Sequence, residues 1–354
     1  MAIQENITVR PAQLLEILRV AIRERRRVLI VGSPGIGKTD IVEQAATLEH
    51  NSLLTTHLVT ADPTEEAGLP WPNAEKNEAY FMLFGNLAAV CNARTPMVWF
   101  LDDFGQASPA VQASFMRPLL DYHTVSGYEI PACVSIIAAT NKRTDRAGVS
   151  GVLEPVKSRF DTIVELQPTL DDWIEWAIDH KIAPEVIAFL RFRPAQLHKF
   201  EATADLTNSP CPRTWAKVSK WLASGLSRSV EYAVIAGAVG AGAAIEFTGF
   251  LKICRELPDP DQLLLHPDTA AIPTDPASLY ALTGALASRC TKKTFGAIAT
   301  YATRMLESGH AEFGVLLIKD AYLHDKTVYA TPAFTKLTHH SKLGGVVWGN
   351  EQAS

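Results

Sequence analysis

The residues of this chain whose types and spacing most directly imply chemistry are Gly32-Ser33-Pro34-Gly35-Ile36-Gly37-Lys38-Thr39. Glycines in such a run let successive backbone N–H groups curl around phosphate oxygens with no Cβ in the way. Lys38 has the reach for β- and γ-phosphates, and the Thr39 hydroxyl is a ligand for Mg²⁺. The apolar run Val28-Leu29-Ile30-Val31 before it reads as a buried strand, and Asp40 to Ala46 after it reads as a helix. A helix N-terminus adds unpaired donors and partial positive charge where an anion would sit. A glycine-rich turn that merely starts a helix would not need the Lys-Thr pair. The motif and its strand–helix frame together read as a phosphate-binding loop.

Hydrolysis needs further groups, and candidates follow in order. The strand Met97-Val98-Trp99-Phe100-Leu101 delivers Asp102 and Asp103 at its end. The first acid suits the Mg²⁺ shell beside Thr39; the second can orient and deprotonate a water. Ser135 to Ala139 ends in Thr140-Asn141, an amide that can bond a γ-phosphate or the lytic water, or simply a turn residue. Arg159, in Lys157-Ser158-Arg159-Phe160, is placed to neutralise charge in phosphoryl transfer, with Lys157, Arg143 and Arg146 as rivals. Arg213, in Pro212-Arg213-Thr214-Trp215 at a helix start, is either a second γ-phosphate contact or a plain surface arginine.

These residues need a frame. Pro11 to Arg25 has helical spacing of leucines and isoleucines, with Pro11 in the first turn. Further strands are expected over Leu53 to Val59, Pro96 to Leu101, Val134 to Ala139 and Thr162 to Leu166. Asp62 to Pro72 is punctuated by Pro and Gly and reads as a loop. Ser108-Pro109 starts a helix running to about Leu120, and Asp121 to Ile130 reads as a turn or hairpin. After Pro168 the pattern is helical: Thr169 caps a helix beginning at Leu170, and the clearest loop region is marked by Pro258, Pro260, Pro267, Pro273 and Pro276. Strands alternating with helices, then a run of helices, imply an α/β domain followed by helical ones, with boundaries within several residues of 167 and 250.

Composition narrows the class. A chain of 354 residues suggests about two or three domains. Its net charge of −5 calls for neither nucleic acid nor an anionic membrane surface. The one dense basic run, Arg23 to Arg27, reads as a solvated helix end, with a local nucleic-acid or partner contact as the alternative. The five cysteines lie far apart with no C-x-x-C pair, which argues for a reducing compartment and against zinc. No secretory core opens the chain, and the longest uncharged run, Tyr232 to Ile245, is too short to span a bilayer. A soluble, cytoplasmic protein is expected, and that Ala/Gly-rich run reads as helices in close backbone approach. Trp173 and Trp176 read as core, His339-His340 as a surface pair, and Gly344 to Ser354 as a loosely ordered tail.

Phosphate loop, strand with paired acids, strand with Thr-Asn, Ser-Arg-Phe and helix-borne Pro-Arg, in that order, resemble an AAA+ ATPase. The finer pattern resembles the MoxR-like branch, through Asp62-Pro63-Thr64-Glu65-Glu66-Ala67-Gly68-Leu69-Pro70, Ala138-Ala139-Thr140-Asn141-Lys142-Arg143 and Val156-Lys157-Ser158-Arg159-Phe160. The resemblance covers roughly residues 7 to 250. It implies a five-stranded parallel sheet between helices (1–167), a helical lid (168–250) and a helical extension (251–354) outside the motifs. It implies ATP with Mg²⁺ at the subunit boundary of a homo-oligomeric ring, commonly a hexamer. In it Lys38 and Thr39 match the phosphate and Mg²⁺ ligands and Asp102 the metal-side acid. Asn141 matches the first sensor, Arg159 the finger given to the neighbour's ATP, and Arg213 the second sensor on the lid. The Val125-Ser126-Gly127-Tyr128 tip and the Asp62 to Pro72 loop become candidates for substrate or pore contacts, or plain surface loops.

One departure matters. The family usually carries Glu where this chain has Asp103, whose carboxylate would lie ~1–1.5 Å farther from the water. A misplacement of that size can cost about 10²-fold in rate. Three functions follow: a remodelling chaperone of the MoxR type acting on a protein client, with a von Willebrand factor A domain protein as candidate partner; a nucleic-acid motor, disfavoured by charge; and an ATP-gated scaffold of slow turnover.

Overall fold

The computed structural model describes residues 7–120, 124–145, 151–201 and 205–338, in two compact units. The first takes in Met1–Thr169 and Phe200–Ala204, the second Leu170–Lys199 and Asp205–Ser354.

The first unit carries strands β1 (Thr8–Val9), β2 (Val28–Val31), β3 (Ser52–His57), β4 (Leu69–Asn73), β5 (Glu78–Met82), β6 (Met97–Asp102), β7 (Thr124–Val125), β8 (Tyr128–Glu129), β9 (Val134–Thr140) and β10 (Thr162–Leu166). Its helices are α1 (Pro11–Arg23), α2 (Lys38–Leu48), α3 (Pro63–Ala67), α4 (Gly85–Cys91), α5 (Pro109–Ser114) and α6 (Glu154–Lys157). Six strands form one parallel sheet in the order β1-β10-β2-β9-β6-β3. Both faces are covered, as an all-parallel sheet requires. Alternation along β6 divides the core: Val98 and Phe100 pack with Leu14, Leu18 and Val42 on the α1–α2 side. Trp99 and Leu101 pack with Leu87, Val111 and Val156 on the other. β9 is buried along its whole length and likewise feeds both clusters.

All five expected strands are in this sheet. The sixth, β1, is only two residues long and pairs with β10 at the edge. The Asp62 to Pro72 stretch is a correction, because it is not a loop. Asp62 caps α3 by accepting from the Thr64 N–H at 2.8 Å, and β4 pairs antiparallel with β5. The prolines that read as punctuation sit two apart in β4, at Pro70 and Pro72. In a ribbon of two strands every second N–H points away from the partner, so prolines at that spacing cost no ladder bond. The helix begun at Pro109 stops at Ser114, short of Leu120. Ser114 Oγ donates to the Val111 carbonyl, while the Met116 and Leu119 carbonyls accept from Arg159 and Arg27 rather than from a continuing helix. Within 121–130, β7 and β8 form a hairpin with Ser126-Gly127 at its turn.

The basic run Arg23 to Arg27 ends α1, with Arg23 and Arg26 exposed as a solvated helix end implies, while Arg27 is buried in the fold. Arg23 pairs with Glu49, and Arg25 donates to the Val134 and Pro131 carbonyls. Arg26 and Arg27 pair with Asp161, and Arg27 also donates to the Leu119 carbonyl. Burial pushes the Asp161 carboxyl up, but the hydrogen bonds and charge from Arg27, with the charge of Arg26, outweigh it and hold it below its ordinary range.

The second unit is helical: α7 (Leu170–Asp179), α8 (Pro184–Phe192), α9 (Pro212–Ala223), α10 (Arg228–Val239), α11 (Ala241–Glu256), α12 (Pro260–Leu265), α13 (Pro276–Ala287), α14 (Phe295–Glu307), α15 (Ala311–His324) and α16 (Pro332–Thr338). One core gathers Trp173, Phe189, Trp215 and Phe247; a second gathers Leu286, Phe295, Met305 and Leu317. Trp173 is buried, while Trp176 is half-buried and stacks on His180 at 4.3 Å. The Tyr232 to Ile245 run is α10 and the start of α11, broken at Gly240. That glycine has φ 80°, and a Cβ on it would lie 2.9 Å from the Asn208 carbonyl oxygen. Residue 250 falls inside α11, and the two units do not divide there. Arg146, His339-His340 and the Gly344 to Ser354 tail lie outside the described residues.

Candidate nucleotide-binding site

Strand register brings the chemistry together. Val31 at the end of β2 pairs with Thr140 at the end of β9, and the Gly32 N–H donates to the Thr140 carbonyl at 3.1 Å. The Thr140-Asn141 corner therefore stands beside the start of the glycine-rich turn. β6 lies on the other side of β9 and ends at Asp102. Gly35 and Gly37 turn the loop at φ 76° and 99°, a region that side chains rarely adopt. Gly37 then hands the chain directly to α2, whose first residues are Lys38 and Thr39.

Lys38 is 8% exposed, and its ammonium donates to the Gly32 carbonyl at 2.7 Å, the Ser33 carbonyl at 3.1 Å and Asn141 Oδ1 at 2.8 Å. The Thr39 hydroxyl donates to Asp102 Oδ2 at 3.2 Å. Asp102 Oδ1 accepts the Asp103 N–H at 3.0 Å. Asp103 itself sits in the left-handed region, φ 56°, and its Oδ1 lies 3.5 Å from Asn141 Nδ2. Lys38, Thr39, Asp102, Asp103 and Asn141 thus form one connected set at the carboxyl ends of β2, β6 and β9. That is where ligands bind in open α/β sheets.

Two neighbours had no signal in the sequence. His57 Nδ1 lies 4.0 Å from Asp102 Oδ2, brought there by the β3–β6 register. Gln106 Nε2 donates to Asp103 Oδ1 at 2.7 Å. A tight turn after the acids creates that contact, and only the pairing of acid with a nearby amide could have hinted at it.

Arg159, Lys157 and Arg143 of the sheet unit are engaged elsewhere or exposed. Arg159 is half-buried; its Nε donates to the Met116 carbonyl at 2.8 Å and its Nη1 to the Pro155 carbonyl. Two residues on, Asp161 is clamped by Arg27. Lys157 pairs with Glu154, and Arg143 is exposed in a short 3-10 turn. These three cations make no hydrogen bond, among those described, to the Lys38–Asn141 set. Arg213 is exposed at the second position of α9, in the helical unit.

On α3, Glu66 is 2% exposed, and its Oε2 is buried with no hydrogen-bond partner among the described residues. Burial, with the neighbouring Glu65 charge, pushes its carboxyl up to about 7. Two exposed hairpins lie beyond it. Ser126 Oγ donates to the Ala67 carbonyl and Tyr128 OH to the Phe81 carbonyl, so β7–β8 is latched to the α3–β5 segment. Trp71 and Tyr80, cross-strand partners in β4–β5, are 51% and 45% exposed.

Fold and site define a P-loop α/β domain, with a helical region following it. Residues 27–160 match the model of the AAA domain, dynein-related subfamily, and the helical unit lies outside that match. Among solved structures, a RuvB point mutant of Thermotoga maritima is 17% identical, with 78% of this chain and 80% of that chain covered and a TM-score of 0.41. NtrX from Brucella abortus in complex with ATP is 15% identical, with 90% and 69% covered and a TM-score of 0.40. No curated protein matches the chain. Among the described residues, no helix is long and apolar enough to cross a membrane.

Proposed function

We propose that this chain binds and hydrolyses ATP and acts as a homo-oligomeric ring on a protein client, in the manner of MoxR-type remodelling chaperones. The observation that carries the proposal is the connected set from Lys38 through Asn141 to Asp103, with Thr39 on Asp102. Triphosphate would lie in the amides of the 32–39 turn, with the Lys38 ammonium turned from its present neutral acceptors to the β- and γ-phosphates. Thr39 and Asp102 present two hard oxygen atoms side by side. Among the described residues no cluster of three or more His, Cys, Asp or Glu could cage a metal by itself. That donor set fits Mg²⁺, which is normally bound through one or two protein oxygens plus phosphates and water. When bound, Mg²⁺ supplies neutralisation of phosphate charge. Asp103 takes a proton from water as the water oxygen forms its bond to the γ-phosphorus. The bond from that phosphorus to the bridging oxygen breaks, and the electron pair leaves with ADP.

In this reading Asn141 senses the γ-phosphate, Arg159 serves the ATP of a neighbouring subunit, and Arg213 couples a lid (168–250) to it, with 251–354 as an extension. Loss of the γ-phosphate would then release both clasps. The exposed aromatic side chains of the β4–β5 hairpin, latched to β7–β8, supply a surface for the client or a partner such as a von Willebrand factor A domain protein. The nucleic-acid motor is disfavoured by the net charge of −5, and two arginines of the one dense basic run, Arg25 and Arg27, are engaged within the fold. The shorter Asp103 leaves room for a slow-turnover scaffold.

The test combines ATP binding, turnover and sedimentation on the purified chain with Mg²⁺. Binding that Lys38→Ala abolishes, turnover that Arg159→Ala abolishes while a mixed ring restores it, and stimulation by protein are expected. DNA-stimulated turnover with a steep salt dependence would instead favour the motor.

A further inference from the structure

The acid strand ends in a kink with a use. Asp103 adopts the left-handed conformation, and Phe104–Gln106 follows as a single 3-10 turn. That turn folds Gln106 back onto the acid. Its N–H donates to the Asp103 carbonyl at 3.0 Å and its side-chain Nε2 to Asp103 Oδ1 at 2.7 Å. The amide's other pole, Oε1, is buried with no hydrogen-bond partner among the described residues. Native interiors seldom leave such an acceptor unsatisfied, so the amide is held by its nitrogen. Reversing it would set an oxygen against the carboxylate. Asn141 Nδ2 also approaches Oδ1, at 3.5 Å, whereas Asp103 Oδ2 accepts no hydrogen bond among the described residues. One oxygen is tethered and the other left open.

We propose that Gln106 is a positioning residue for the hydrolysis proposed above: it tethers Oδ1 of Asp103 so that Oδ2 faces the lytic water, in place of the reach a longer acid would have. The proposal rests on the ATPase reading. Gln106 acts through Asp103 alone, so its signature is in kcat and not in KM.

The experiment is steady-state ATPase for wild type, Gln106→Ala, Gln106→Glu, Asp103→Glu and the Asp103→Glu/Gln106→Ala double variant, with ATP affinity and melting temperature of each. Gln106→Ala is expected to lose about tenfold in kcat with KM within twofold. Gln106→Glu keeps the size of the side chain but sets a like charge on Asp103 in place of the tether, and should lose at least as much. Behind Asp103→Glu, which needs no tether, removing Gln106 should cost less than twofold. A kcat within twofold of wild type in Gln106→Ala, a rise in kcat, a loss carried in KM, or an equal loss in both backgrounds overturns the proposal while leaving the ATPase reading intact. If wild type binds ATP without turnover, the hydrolysis reading falls and this proposal with it. If Gln106→Ala melts early, Gln106→Glu and the double variant decide.

Discussion

Lys38 in the sheet unit and the buried and half-buried arginines of the helical unit meet different partners. In the helical unit Arg191 reaches the buried carboxylate of Asp320 at 2.5 Å, and Arg255 forks onto Glu231. In the sheet unit Arg27 likewise meets the Asp161 carboxylate, whereas Lys38 donates to the neutral oxygens of Gly32, Ser33 and Asn141. An arginine already neutralised by a carboxylate holds elements together and has little charge left for a ligand. An ammonium that donates to neutral acceptors can exchange them for phosphate oxygens and gain. The difference teaches that burial alone does not set a cation's use; the charge of the acceptors it meets bears on it too.

That comparison can be broken at several points. The largest expected effect is on Lys38→Ala: ATP affinity measured by calorimetry should fall at least about 100-fold, with the melting temperature within a few degrees of wild type. Retained affinity would mean the loop's amides suffice and the contrast is empty. Asp320→Ala should do the reverse. It leaves Arg191 buried without its anion and should cost about 3–5 kcal/mol in chemical denaturation, with ATP affinity unchanged in the native state.

Glu66 sharpens the contrast from the other side, as a buried carboxyl pushed up rather than paired. Its pKa of about 7 in the folded protein lies above the 4.5 of an ordinary glutamate. The folded state therefore holds the extra proton, and stability is full below pH about 4.5 and declines as pH rises toward 7. Glu66→Gln should gain about 2 kcal/mol at pH 8 and nothing at pH 4, read as melting temperature against pH. A gain of equal size at both pH values would refute the buried-charge account. The smallest effect is at Asp161, whose carboxyl is held below its ordinary range. Its contribution is present above pH about 4 and is lost as pH falls through the lower folded value. Asp161→Asn should cost about 1 kcal/mol at pH 7 and progressively less in acid.

Much of the sheet unit was legible because short-range signals are strong there. Thr162 to Leu166 is a strand with the bounds its apolar run implies, and the turn around Ser126-Gly127 follows from its residue types. The β4–β5 ribbon was hidden by prolines whose spacing matters only once a partner strand exists. The α5 terminus was hidden because the competitors for its carbonyls, Arg27 and Arg159, come from distant segments. The buried pairing of Arg27 at the end of the basic run was hidden for the same reason: its carboxylate at Asp161 is 134 residues away in sequence. In the candidate site, Lys38 and Thr39 were marked by a glycine-rich turn leading into a helix, and Asp102, Asp103 and Asn141 by residue type at a strand end. Gln106 and His57 were not, since neither belongs to a motif.

The sequence by itself determined the backbone shape at Gly35 and Gly37 and the chemistry that Lys38, Thr39 and Asp102 offer, because these are local properties. Only tertiary structure decided which cations are spent on internal carboxylates and which oxygen of Asp103 stays open. Both depend on pairings set by strand register and by one tight turn, and distances across a sheet are not written in the spacing along a chain.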